Sequence, residues 1–170
     1  VTSGTTEDTM GKTLATDDYE QAGCGGFGGP DVVYRVDLAE RSLLHGAITA
    51  PFSSKLYLRS ADCETGDMVL CADKEFTSEP IEAGTYFLFV DSDSANAKGD
   101  FTLALSTTAA PIPANDTCEG AVALTFGAQG VATVSASSLY AQDDYKGLCS
   151  AALSGGPDVM YTFTAGTGES

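Results

Sequence analysis

Two stretches of this chain set carboxylates and a cysteine in one repeated order. Residues 17–34 read DDYEQAGCGGFGGPDVVY, and residues 143–161 read DDYKGLCSAALSGGPDVMY. The first supplies Asp17, Asp18 and Asp31 around Cys24, and the second supplies Asp143, Asp144 and Asp158 around Cys149. Hard oxygen donors gathered by a loop suit calcium, and burying several acids with no cation among them is costly. The same acids have a purely architectural use, because an Asp side chain caps a turn through nearby backbone. Either use explains the recurrence, and calcium is carried forward as a candidate ligand. A weaker acidic stretch, DSDSANAKGD (91–100), holds Asp91, Asp93 and Asp100. It departs from the EF-hand loop, with Asn96 where that pattern needs Gly and Thr102 where it needs Glu. A polar hairpin loop is the expectation there.

Residues for covalent or acid–base catalysis are scarce. His45 is the only histidine, so any Ser-His-Asp or Cys-His triad would have to use it, and a His-based metal site lacks its second His. It lies inside LLHGAI, an apolar strand pattern, and reads as a strand residue. Paired-acid glycoside chemistry needs two carboxyl groups facing a cleft, and no long loop system is present to build one. No catalytic residue is assigned, and the chain is expected to be non-enzymatic. Trp is absent, so an aromatic platform for sugars would fall to Tyr19, Tyr57 or Tyr140, which as strand tyrosines are expected to pack.

The five cysteines are Cys24, Cys63, Cys71, Cys118 and Cys149. None forms a CxxC pair, which favours disulfides in an oxidising compartment over a zinc site. Cys63 and Cys71 flank ETGDMVL, where a hairpin would let them bridge at short range. Cys118 and Cys149 would tie the front strand of a second copy to its DDY loop. Cys24 matches Cys149, so its partner is expected outside this segment or in another chain.

That pairing follows from an internal repeat, whose DDY, Cys and GGPDV elements recur at offsets of 125 to 127 residues. Three separated motifs in one order make the repeat secure. The first copy spans 1–106. The Pro- and Ala-bearing stretch TTAAPIPA (107–114) reads as a linker, and 115–170 is the N-terminal part of a second copy. The second copy opens with NDTCEGAVALTF (115–126), whose counterpart in the first copy falls ahead of Val1. The first copy is therefore expected to lack its first strand. Either the chain is a segment of a longer tandem array, or the front strand of one chain completes the sandwich of another and builds a fibre.

These motifs must be positioned by short strands. VVYRVDL (32–38), LLHGAIT (43–49), KLYLRS (55–60), MVLCA (68–72), IEAGTYFLFVDS (81–92) and FTLALS (101–106) read as short strands, several with period-two alternation, bounded by Gly, Pro, Asp and Ser. Leu56 and Leu58 share a face, as do Phe101, Leu103 and Leu105. Tyr86, Leu88 and Val90 lie opposite Phe87 and Phe89. No window shows helical spacing with caps. The expectation is an all-β fold, an antiparallel β-sandwich of jelly-roll-like form.

Composition narrows the partners. The 24 Asp plus Glu against 8 Lys plus Arg leave a formal charge of −16, which argues against nucleic acid and against anionic membrane surfaces. No apolar run is long enough to span a bilayer, and a hydrophobic share of 43% suffices for a packed core.

GPDVVYRV (29–36), KLYLRSADCETGDMVLCAD (55–73), AGTYFLFVDS (83–92) and GDFTLALS (99–106) together resemble the bacterial pre-peptidase C-terminal domain, over nearly all of the first copy. NDTC, DDY and GPDV resemble a variant found in tandem in large secreted proteins. The resemblance implies a secreted β-sandwich module that assists secretion, adhesion or substrate binding without itself being catalytic. Its collagen-binding relatives bind calcium. The function expected is an extracellular or cell-surface structural or adhesive module of a tandem array, a fibre subunit if strands are exchanged. Its partners would be copies of itself or adjacent repeats. The alternative is an accessory module that binds glycan or a collagen-like protein for a secreted hydrolase.

Overall fold

The computed structural model describes residues 6–12, 16–20, 23–24, 28–146 and 155–165, the first of these as backbone. The chain divides into two compact units, Val1–Ala110 and Pro111–Ser170.

The first unit is all-β. Its strands are β1 (Thr6–Lys12), β2 (Asp31–Leu38), β3 (Ser42–Thr49), β4 (Ser54–Ser60), β5 (Met68–Ala72), β6 (Glu75–Thr77), β7 (Gly84–Ser92) and β8 (Asp100–Ala109). They form two four-stranded antiparallel sheets, ordered β1-β8-β3-β6 and β2-β7-β4-β5. The sheets pack face to face as a sandwich. Period-two alternation drives this, since it sends every second side chain into the space between the sheets. Leu56 and Leu58 of β4, Leu88 and Val90 of β7, and Phe101, Leu103 and Leu105 of β8 meet there as one cluster. Val32 and Tyr34 of β2 are partly buried against the same cluster, as are Leu70 and Phe76 at its other margins.

Strand positions follow the alternation, but several boundaries differ from expectation. β1 was not foreseen: its TEDTMGK sequence has little apolar alternation, and its place comes from pairing with β8. It sits on the sheet opposite β2, and β2 ends its own sheet with no further strand beside it among the described residues. β8 continues through Ala109, so the first residues of the expected linker belong to the sheet, and the unit boundary falls after Ala110. β6 was also missed, being three residues long.

The second unit contains a 3-10 turn, Cys118–Gly120, and two short strands, β9 (Val122–Ala123) and β10 (Tyr161–Thr162). These pair in parallel, Val122 with Tyr161 and Ala123 with Thr162. No helix among the described residues is long and apolar enough to cross a membrane.

Candidate functional site

The β2-β7-β4-β5 sheet buries both of its faces. On the side away from the other sheet, pairing aligns Val33, Phe89, Tyr57 and Cys71 in one row across the four strands. Tyr57 and Phe89 are fully buried and stack at 4.4 Å between centroids. The loop carrying DDY covers them, with Tyr19 edge-on to Phe89 at 5.3 Å. Tyr57 and Tyr19 therefore pack, and Tyr140 sits in the left-handed region at φ 68°.

Arg59 ties this cover down. Its guanidinium lies over the Phe89 and Tyr57 rings at 4.9 and 5.4 Å. It donates to the carbonyls of Glu20 at 3.0 Å, Cys63 at 2.7 Å and Glu64 at 3.3 Å. Its role was missed in the sequence, although its spacing from Tyr57 in KLYLRS already placed the two on one face.

The disulfide differs from expectation. Cys24 bonds Cys71, with Cα atoms 5.7 Å apart. The Cys63–Cys71 bridge does not form, and Cys24 needs no partner outside this unit. The reason is register: Cys71 lies in the row of Tyr57 and Phe89, under the loop that carries Cys24, while Cys63 lies in the turn after β4. Cys63 and Cys118 are free thiols. The expected Cys118–Cys149 bridge falls outside the described residues, because Cys149 is not among them.

Asp31 joins the two motifs of the first unit. Its Oδ2 accepts the backbone N–H groups of Asp18 at 2.9 Å and Tyr19 at 3.0 Å. Its own N–H donates to the Thr16 carbonyl at 3.3 Å. Burial raises the Asp31 pKa, and the two amides only partly oppose this. Directly across the ladder stands Asp91, fully buried, with neither carboxylate oxygen hydrogen-bonded among the described residues. Burial, and then the charge of Asp31, push the Asp91 carboxyl up to about 8. The Tyr57 hydroxyl and Ser92 Oγ are likewise buried without partners. A protonated Asp91 is the form such surroundings favour at neutral pH.

The second unit repeats the clamp. Asp158 Oδ2 accepts the Tyr145 N–H at 3.1 Å, and the Asp158 N–H donates to the Gln142 carbonyl at 3.1 Å. Here the NDTC segment is added. The Asn115 carbonyl accepts from Met160 N–H at 2.7 Å, and Asn115 Nδ2 donates to the Met160 carbonyl at 3.2 Å. Asp116 Oδ1 accepts the Gln142 N–H at 2.8 Å, and the Cys118 N–H donates to the Tyr145 hydroxyl at 2.9 Å. Val122 and Leu124 then donate to the Met160 and Thr162 carbonyls at 3.2 and 2.8 Å. Burial, and then Asp116, raise the Asp144 pKa.

The remaining predicted residues lie apart or on the surface. Asp17, Asp18 and Asp143 are exposed. Asp93 bonds the Ser53 hydroxyl, and Asp100 opens β8. Asp91, where the expected strand 81–92 and loop 91–100 overlap, belongs to β7 beside Asp31. Among the described residues, no three His, Cys, Asp or Glu side chains group so as to hold a metal ion. His45 lies on the other sheet, hydrogen-bonded to the Thr77 and Thr108 hydroxyls at 3.1 and 3.0 Å.

One feature of the first unit has a filled counterpart in the second. β2 is an edge strand. The Asp31 N–H turns away from β7 to meet Thr16, so by alternation the peptide groups of Val33 and Arg35 face outward too. Among the described residues they meet no hydrogen-bond partner. Their counterparts, Met160 and Thr162, carry the NDTC segment. No protein-family model matches the chain, and no curated protein matches it either.

Proposed function

We propose that this protein is a non-catalytic extracellular module, structural or adhesive in role, of an array of β-sandwich units joined by strand complementation. One observation carries this reading. The same DDY–GPDV clamp occurs in both units, and β2, the counterpart of the strand that carries the front segment in the second unit, has no partner on its outer edge among the described residues. An edge strand with no neighbour among the described residues invites pairing with another chain. The Cys24–Cys71 disulfide suits an oxidising compartment, and the high negative charge keeps such units soluble until their edges meet.

Sedimentation velocity over a wide concentration range, with electron microscopy of the concentrated sample, tests the reading. A ladder of multimers or filaments is expected. A monomer at every concentration contradicts it.

A further inference from the structure

We infer that the outer edge of β2 accepts the segment 115–126 of a second copy of this chain, which docks parallel to β2 and brings its Cys118 to Cys63. This specifies the joint of the array reading and rests on it.

The backbone sets direction and register. In the second unit, Met160 and Thr162 present to the NDTC segment the groups that, on Val33 and Arg35, meet no partner among the described residues. Carrying that pattern over places Val122 beside Tyr34 and Ala123 beside Arg35. The Val33 carbonyl then accepts from Val122, and the Arg35 carbonyl from Leu124. The Val33 N–H meets the Asn115 carbonyl, and Asp116 meets the Thr16 N–H, as it meets Gln142 in the second unit.

The side chains agree. Val122, Leu124 and Phe126 alternate, so all three fall on the face of Tyr34 and Val36, toward the core. In the second unit Val122 is 45% and Phe126 47% exposed. On β2 they would cover Val32 and Tyr34, which close the core only in part. The contacts given up in the second unit are the two-residue β9–β10 ladder and the hydrogen bonds of Asn115, Asp116, Cys118 and Leu124, each with a counterpart on the first unit in this register.

The thiols agree independently. The Cys118 N–H donates to the Tyr145 hydroxyl at 2.9 Å, and Cys63 packs with Tyr19, the matching tyrosine, against the Tyr57 and Phe89 rings. Docking therefore brings two free thiols to one tyrosine. Their oxidation by a small-molecule disulfide such as oxidised glutathione forms the Cys63–Cys118 bond. The two protons and two electrons leave in two molecules of reduced glutathione.

The test adds a synthetic peptide of residues 115–126, carrying Cys118→Ser, to the isotope-labelled full chain and reads amide exchange by NMR. Exchange at Val33 and Arg35 should slow at least ~10-fold at saturation. N-methylation of the peptide at Val122 should weaken binding ~10-fold or more, and at Ala123, whose N–H points away from β2, by less than ~2-fold. The unsubstituted peptide with oxidised glutathione should give a Cys63–Cys118 adduct by mass spectrometry. The inference is overturned if the peptide does not bind, if it protects Met160 and Thr162 alone, or if both methylations cost the same. It is also overturned if the adduct forms at another cysteine. Peptide binding to a chain that stays monomeric supports the joint and removes the array reading. Assembly without peptide binding removes the joint and keeps the array.

Discussion

Asp31 and Tyr19 are joined by a hydrogen bond of 3.0 Å that spans twelve residues of sequence, from a strand carboxylate to a loop amide. The same oxygen also holds the Asp18 amide, so one side chain fixes the loop that covers Phe89 and Tyr57. Asp31→Ala should destabilise the protein by about 2 kcal/mol in urea denaturation, since it leaves two amides without their acceptor. Asp31→Asn, which keeps an acceptor oxygen, should cost less. Amide exchange at Asp18 and Tyr19 should rise in both variants.

Asp91 predicts an unusual pH dependence. Its carboxyl titrates near 8 in the folded protein, against about 4 in an unfolded chain. Between those values the folded state binds more protons, so its stability falls as pH rises, by at most about 1.4 kcal/mol per pH unit. Asp91→Asn removes the group, and thermal unfolding at pH 5 and pH 8 should then differ less than in the parent. An unchanged difference would mean that Asp91 is ionised in the fold.

The Cys24–Cys71 bond closes a separation of 47 residues. Its loss in Cys24→Ser should cost about 2–4 kcal/mol. Peptide mapping of unreduced protein should recover that pair, with Cys63 open to alkylation. Cys63→Ser should leave the stability of the monomer within about 0.5 kcal/mol.

Arg59→Ala removes a guanidinium stacked on two rings and bonded to three carbonyls. A loss of about 2–4 kcal/mol is expected in chemical denaturation. Arg59→Lys keeps the charge but not the planar fork, and should recover only part of it.

Alternation made the sandwich core legible, because Leu56, Leu58, Leu88 and Phe101 each sit on a period-two stripe facing one interior. The second buried layer was harder to see, since Tyr57, Phe89 and Arg59 resemble an ordinary outer face until a loop is laid over them. Disulfide pairing failed for the same reason: Cys71 is close to Cys63 in sequence but faces Cys24 across the fold. β1 escaped because its pairing with β8, with little apolar patterning of its own, makes it a strand. The repeated motifs were legible as a pair, and what they build is a clamp in which Asp31 and Asp158 hold loop amides.

The most direct measurement of the central claim is amide hydrogen exchange at Val33 and Arg35 in concentrated, assembled protein against dilute monomer. The β2 joint predicts slow exchange at both amides only in the assembled sample. Assembled protein in which both still exchange at the monomer rate would contradict it.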